Sequence, residues 1–297
     1  MADRRGEWGD IVVHLLALAS RLEVEGQYNI AKLLRAAADA MARRAAYISL
    51  TSEGAQLSSS VEQAISSLSK LGIDAGLIAA LKRGETAMTE GRLPLIHEIP
   101  HPYVCRTCGD VVVGELPNRC VTCGAWGATF QRFLPVYWLD DLEPFAALER
   151  LRQTPGEVAS LLDGLSQDTL TQEPAGGGWS IRQVVSHLRD AQGVLSTRLD
   201  LILEDDDPLL TSQAVFQWAA RDETRPPTIQ EVLDTYRVSR QETLAKLESI
   251  PLEDWWRTGR HEEFGTVTLR QQVSYFAAHE STHLPQLESL RHEFVER

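Results

Sequence analysis

The stretch Trp179-Ser-Ile-Arg-Gln183-Val-Val-Ser-His187 marks the start of a helix in the C-terminal half of the chain. Ser180 and Gln183 have the spacing of a capping box, in which each side chain binds the backbone amide of the other residue. The stretch Thr268-Leu-Arg-Gln271 repeats this pattern. The two boxes predict two helices that begin in the same way, one ending near residue 204 and the other near residue 295.

Histidines follow both boxes. His187 lies seven residues after Ser180, and the second helix carries His279 and His283. Two histidines four residues apart lie on one face of a helix, so both rings can reach one metal ion. If the two helices pack side by side, His187 faces this pair, and three neutral imidazoles with a water form an open site of the catalytic type. The alternative is that these are core or surface histidines without a metal.

The run His279-Glu280-Ser-Thr-His283 also matches the zinc-protease motif, in which the glutamate is the general base. The extended form of that motif needs a third histidine at position 289, where this chain has Ser289. Strand-forming runs that would frame a peptide substrate are not expected in this half of the chain. A protease is therefore the weaker interpretation. Glu280 is a candidate catalytic residue, and Asp190 a second candidate for handling protons, but either side chain could equally be a solvated charge.

Helical periodicity predicts two more helices in this half, at about 144–166 and 228–249. Together with the histidine motifs and Gln286, this region resembles the DinB/YfiT superfamily. The resemblance covers about residues 141–297, within a domain assigned to residues 139–297, and implies an up-down-down-up four-helix bundle, often dimeric. It implies one divalent metal, zinc, nickel or iron, bound by His187, His279 and His283.

All four cysteines lie within nineteen residues, in the runs Cys105-Arg-Thr-Cys108-Gly and Cys120-Val-Thr-Cys123-Gly. Paired C-x2-C units indicate a metal site, because four thiolates complete a tetrahedral shell for zinc or iron. The alternative is two disulfides, which is disfavoured because the chain shows no secretory signal. The segment around these cysteines resembles the rubredoxin-like tail of rubrerythrins, which implies a small β-rich metal-binding knuckle, assigned to residues 99–138.

Residues 1–98 are predicted to be helical, with one region over 8–48 and a pair of helices at about 58–71 and 74–90, broken at Gly72. Residues 25–38 resemble a helix of the ferritin-like domain that precedes the rubrerythrin knuckle. Met41 and Arg44 stand where that helix would carry an iron-binding Glu-x-x-His pair, so a domain of this descent has lost its di-iron chemistry. The simpler alternative is a structural or dimerising bundle. The predicted fold class is thus mainly α: an N-terminal helical domain, a rubredoxin-like knuckle and a DinB-like bundle.

The net charge of −13 comes from residues 139–297, which hold 15 basic and 28 acidic side chains. An acidic surface without a basic stripe argues against binding to nucleic acid or to an anionic membrane. Neither a signal peptide nor a long apolar run is present, so the expected location is cytoplasmic.

The leading functional hypothesis is a metal-dependent enzyme, of thiol S-transferase or hydrolase type, that activates a thiol or water at the three-histidine site. Its expected partners are a small-molecule substrate, which could be a low-molecular-weight thiol, and a second copy of the chain. Whether the chain is an enzyme stays open. The alternatives are a non-catalytic metal-binding stress protein and an electron-transfer protein with an iron-loaded knuckle.

Overall fold

The computed structural model describes residues 3–50, 57–134, 142–175, 177–211 and 227–295. The end of the predicted knuckle and most of the predicted connection between the second and third bundle helices lie outside these ranges. The described chain forms two compact units, one of residues 1–78 and 104–131 and the other of residues 79–103 and 132–297. None of the described helices is both long and apolar enough to cross a membrane.

The first unit begins with a pair of helices joined by a tight turn at Gly26, whose φ of 76° is in the left-handed region. Ala19, Ala31 and Ala38 are buried along these helices, and the small side chains permit close packing. The predicted break at Gly72 is present, with φ 68°. The N-terminal helices are α1 (Asp3–Val24), α2 (Tyr28–Leu50), α3 (Leu57–Lys70) and α4 (Ala75–Thr89).

The cysteine region contains a small three-stranded sheet. Its strands are β1 (Pro102–Cys105), β2 (Val111–Val113) and β3 (Phe130–Arg132), in the order β2-β1-β3. Gly127 is required by a close approach of the backbone, because a Cβ there would lie 2.2 Å from the carbonyl oxygen of Pro117. The region is therefore short, β-rich and tightly folded.

The second unit contains four long helices in a ring, in which α5 and α7 each pack against both α8 and α9. Hydrogen bonds confirm the two predicted capping boxes, at Ser180 and Thr268, and a third box caps α8 at Thr228. The helices are α5 (Pro144–Leu162), α7 (Ile181–Glu204), α8 (Ile229–Ser249) and α9 (Leu269–Val295), with a short α6 (Gln167–Thr171) after the first.

Contacts near both ends of a helix pair give the relative directions of the helices. The pairs α5/α9 and α7/α8 are parallel, and the pair α7/α9 is antiparallel. The order along the chain is therefore up, down, down, up, as the resemblance implied. The contacts are Ser274–Leu142 and Arg291–Leu161 for α5/α9, Arg182–Pro227 and Gln192–Thr243 for α7/α8, and His187–His279 and Arg198–Gln272 for α7/α9.

The expectation that this half has no strands was wrong. Three short strands, β4 (Leu209–Leu210), β5 (Thr258–His261) and β6 (Gly265–Thr268), form a sheet in which β5 pairs parallel with β4 and antiparallel with β6. Gly259 lets β5 lie close to both β4 and α7, because a Cβ there would lie 2.9 Å from a methyl group of Leu210 and 3.3 Å from Cγ1 of Ile202. The β5–β6 hairpin also receives a backbone bond from Ile96 to Glu262, which joins the segment before the knuckle to this unit.

The bundle core consists of two apolar clusters, one at each end. Between them along the helices lie the buried polar residues Gln192, Arg240 and Glu280. The described chain is therefore mainly α, with a four-helix bundle in its C-terminal part.

Candidate metal centres

Three imidazoles meet where α7 and α9 cross, and we call them the histidine centre. Nε2 of His279 lies 3.1 Å from Nε2 of His187 and 3.2 Å from Nε2 of His283. Nitrogens bound to one zinc ion at 2.0–2.1 Å with tetrahedral angles would be about 3.3 Å apart. The three atoms therefore have the spacing of ligands to a single divalent ion.

One hydrogen bond fixes the orientation of His283. Its Nδ1 lies 2.8 Å from Oε1 of Gln286, a carbonyl oxygen that can only accept, so Nδ1 carries the proton and Nε2 keeps its lone pair. Polar partners of this kind orient metal-binding histidines and increase their basicity. Gln286 thus has a structural reason to follow the third ligand, as the resemblance implied.

Aromatic rings flank the histidine centre. The ring of Trp179 lies 5.0 Å from that of His187 and is stacked on His283 at 6.4 Å, and the ring of Tyr275 is stacked on His279 at 6.1 Å. These contacts hold the imidazoles in place and keep bulk water from part of the site.

Burial also sets the charge of the ligands. Desolvation, with some repulsion from the neighbouring imidazoles, lowers the pKa of His187 to about 3 and that of His279 to about 4. Both rings are therefore neutral at physiological pH, which is the form that binds a metal ion.

A cavity of about 80 Å³ opens beside the histidine centre, and His187 and His279 line part of it. The rest of its wall comes from one face of α7, from α9 and from the β5–β6 hairpin. The cavity would give a small molecule access to an ion placed between the three histidines. Three protein ligands leave one tetrahedral position for water or substrate.

The hairpin contributes a histidine that sequence reasoning missed. His261 is 3 % exposed, stacks on Phe264 at 4.4 Å, and accepts a hydrogen bond from the Glu263 amide at Nδ1. Burial and the nearby charge of Arg198 lower the pKa of His261 to about 3. No spacing rule could have found this residue, because it reaches the cavity through a short hairpin far along the chain from His187.

Glu280 lies in the core of the bundle and is fully buried. Its carboxylate accepts hydrogen bonds from two nitrogens of Arg240, one of them at 3.0 Å, and from the Tyr236 hydroxyl at 3.0 Å. Arg240 also donates to Gln192 Oε1 and to Leu151 O, so the network reaches all four helices. These contacts engage both carboxylate oxygens in holding the bundle together.

Asp190, the second candidate for handling protons, forms an ion pair with the adjacent Arg189 at 2.9 Å. It is not among the residues that line the cavity.

The four cysteines form a second centre, the cysteine centre, in the first unit. Sγ of Cys105 lies 3.8 Å from that of Cys123, and Sγ of Cys108 lies 3.6 Å from that of Cys120. A disulfide would require about 2.05 Å, and all four thiols are free. Thiolates at 2.3 Å from one zinc ion at tetrahedral angles would be about 3.8 Å apart, so the spacing fits a metal.

The two C-x2-C turns have the same backbone bonds. Gly109 N donates to Cys105 O and Gly124 N donates to Cys120 O, both at 2.9 Å, and both glycines have positive φ. Burial opposes ionisation of Cys105, but the backbone amides of Cys108 and Thr107 outweigh it and bring its pKa down to about 6. The first turn thus favours the thiolate at Cys105, which is the metal-binding form, whereas burial and the neighbouring cysteine side chains raise the pKa of Cys108 and of Cys120.

Within the described ranges, the histidine and cysteine centres are the two clusters that could hold a metal ion, and there is no third. The predicted ligands are therefore brought together as two separate sets.

Residues 150–287 match the family model of the DinB superfamily. The match includes all three histidines and Gln286, so the bundle is similar to domains of the DinB superfamily over these residues. The family model does not cover the cysteine centre or the N-terminal helices.

Relatives of the DinB-like region carry a common name. A "Putative metal-dependent hydrolase" of Oceanobacillus iheyensis is 26% identical over 143 residues, which are 48% of this chain and 83% of that protein. A relative of the same name from Bacillus thuringiensis subsp. konkukian is 26% identical over 144 residues, with the same coverage. Among solved structures, YfiT from Bacillus subtilis, described as "a probable metal-dependent hydrolase with an unusual four-helix bundle topology", aligns with a TM-score of 0.47 and 19% identity. That alignment covers 53% of this chain and 91% of YfiT.

Proposed function

We propose that the DinB-like domain is a metal-dependent enzyme that uses the histidine centre to activate a thiol or a water molecule for attack on a small substrate. The observation that carries the proposal is the convergence of three Nε2 atoms beside a cavity. A divalent ion at such a site lowers the pKa of a bound thiol or water, which supplies the nucleophile. The names of the relatives support metal dependence and a hydrolytic reaction.

In this proposal the protein residues have distinct tasks. His187, His279 and His283 hold the ion, which we propose is zinc, nickel or iron. Gln286 sets the protonation of the third ring, and Trp179 and Tyr275 limit access of water. Glu280 stabilises the bundle through its pair with Arg240 and does not serve as general base. Thiol S-transfer in detoxification remains the preferred reaction, with hydrolysis as the alternative.

The test is turnover by the metal-loaded full chain, with two substrate panels. One panel combines low-molecular-weight thiols with electrophiles, and the other contains esters and amides. We expect activity in one panel that is lost in His187→Ala and kept in Cys108→Ser, which alters only the cysteine centre. Activity that survives His187→Ala would refute the proposal, and inactivity in both panels would favour a non-catalytic metal-binding protein.

The cysteine centre supports a second candidate function. Its four sulfurs fit iron as well as zinc, so electron transfer by an iron-loaded knuckle is the competing role for this part of the chain. A red, reducible protein purified from its native host would support electron transfer, whereas a colourless protein with zinc at this centre would indicate a structural knuckle. The homodimer, the small-molecule partner and the absence of nucleic-acid and membrane partners stay predictions.

A further inference from the structure

One face of α7 connects the histidine centre to a buried positive charge. His187, Ala191, Val194 and Arg198 follow each other at helical spacing, and all four line the cavity. The eleven residue steps from His187 to Arg198 correspond to about 16 Å along the helix axis. Because side chains on a helix tilt toward its N-terminus, Arg198 extends from its backbone toward the histidines.

Arg198 is held by neutral groups. Nη1 lies 3.2 Å from Oε1 of Gln272, and Nη2 lies 2.8 Å from the carbonyl oxygen of Thr211. Within the ranges that the structure describes, Arg198 forms no ion pair. The carboxylates of Glu262 and Glu263 act on it only at longer range.

Burial makes this arrangement costly. Arg198 is only 7 % exposed, and desolvation lowers its pKa, but an arginine in a protein remains charged. A buried charge without a counter-ion is strongly unfavourable, and buried charges are normally paired. Two of its five N–H donors are used by Gln272 and Thr211, so the guanidinium keeps donors for an anion.

The rest of the wall limits the kind of anion. Ala191, Val194 and Phe276 are apolar and line the cavity with Arg198. Glu263 lines it as well, and its negative charge disfavours a doubly charged group, such as phosphate, next to Arg198. A carboxylate carries a single charge and matches the planar guanidinium fork.

We propose that Arg198 is a substrate-recognition residue and that the ligand of this cavity carries a carboxylate, separated by a short apolar segment from the group that reaches the histidine centre. The inference rests on the proposed function for its metal-bound end. It adds a substrate class, which neither the family match nor the names of the relatives provide.

The test compares matched ligands on the zinc-loaded full chain by titration calorimetry. The ligands are ω-mercaptoalkanoic acids of increasing length and the ω-mercaptoalkanols of the same length, which replace the carboxylate by a neutral hydroxyl. In the wild-type protein we expect the best acid to bind about tenfold or more tightly than its alcohol, because a charge-assisted hydrogen bond in a buried site has this strength.

Two variants separate recognition from folding. Arg198→Met should bring the acid-to-alcohol ratio to about one while leaving the affinity for the alcohols unchanged. Arg198→Lys keeps the charge but loses the fork, and should give an intermediate preference. If Arg198→Met does not fold, a Lys variant with undiminished preference still overturns the specific role of the guanidinium.

The outcomes distinguish this inference from the proposed function. Equal binding of acids and alcohols to the wild-type protein overturns the role of Arg198 and leaves thiol activation intact. If no thiol binds, thiol activation fails, and aliphatic dicarboxylates are titrated instead. Binding of a dicarboxylate that Arg198→Met abolishes supports the carboxylate site, and no binding, or binding that persists in the variant, overturns it.

Discussion

The Nδ1–H of His283 donates to Gln286, and this one contact decides which nitrogen of the ring is available to a metal ion. Replacing Gln286 by Leu removes the acceptor while keeping a side chain of similar size. We expect the metal affinity of the histidine centre to fall about tenfold or more, since partners of this type typically contribute that much. The measurement is competition with a chelator of known affinity.

Gln230→Leu is the matched control for this change. Gln230 is exposed on α8, and within the described ranges its side chain bonds only to Asp234, so its loss should leave the affinity unchanged. Equal affinities of Gln286→Leu and wild type would show that the orientation of His283 does not depend on Gln286.

The buried pair of Glu280 and Arg240 gives a second prediction for single residues. Glu280→Gln leaves the Arg240 charge uncompensated in the core, so the free energy of unfolding should fall by about 3–5 kcal/mol, measured by urea denaturation. The double variant Arg240→Met/Glu280→Leu removes both charges and should recover much of this loss. A Glu280→Gln protein with wild-type stability but no activity would instead indicate a catalytic base.

The three histidines could be predicted from spacing, but the surroundings of Glu280 could not. Successive residues on a helix point about 100° apart, so the neighbour of a metal ligand faces a different part of the bundle. Its partner Arg240 lies on another helix, and only the packing of α8 against the core brings the two together. The protease motif specifies the order of residues along the chain, but not the directions in which their side chains point from the helix.

At the scale of elements, the capping box of α7 positions the first ligand. Ser180→Ala should lower the free energy of unfolding by about 1 kcal/mol and weaken metal binding at the histidine centre, because it loosens the turns that carry His187. Thr228→Ala removes the equivalent cap of α8, which carries no ligand, and should cost similar stability without a change in metal affinity. Denaturation and chelator competition on both variants check this, and equal metal affinities would contradict it.

The segment around the cysteine centre also depends on one local feature, the close backbone contact between Gly127 and Pro117. Gly127→Ala would place a methyl group 2.2 Å from the Pro117 carbonyl oxygen, so the chain before Cys120 must shift. We expect faster loss of metal from the cysteine centre to a chelator, with the histidine centre unaffected. Gly156→Ala is the control, because the site on α5 has open space and alanine there should raise stability by about 0.5–1 kcal/mol. Unchanged metal loss in Gly127→Ala would contradict the role of this contact.

The helices were predictable because hydrophobic periodicity and capping residues are local properties. The sheet of β4, β5 and β6 was not, because its strands have two to four residues and alternation over so short a length is not distinctive. Because these strands were not predicted, neither His261 nor the hairpin wall of the cavity was predicted. One wall of the cavity thus comes from the element that sequence patterns identify least well.

At the scale of the whole molecule, the two centres belong to different compact units. The ligands of each centre come from its own unit, so each should load with metal without the other. The three-part division predicted from the sequence stays a prediction. The structure places residues 79–103 in the same unit as the bundle. There the Ile96 amide donates to the Glu262 carbonyl oxygen, and Nε2 of His101 lies 3.2 Å from the Phe264 carbonyl oxygen. No local sequence pattern predicts these contacts.

The metal content of His187→Ala tests the central claim most directly. The metal-free full chain is reconstituted with zinc, freed of excess ion, and analysed for zinc per chain beside the wild type. We predict two ions in the wild type and one in the variant, with the remaining ion lost only when a cysteine ligand is also changed. Two ions in His187→Ala, bound as tightly as in the wild type, would contradict a three-histidine metal site.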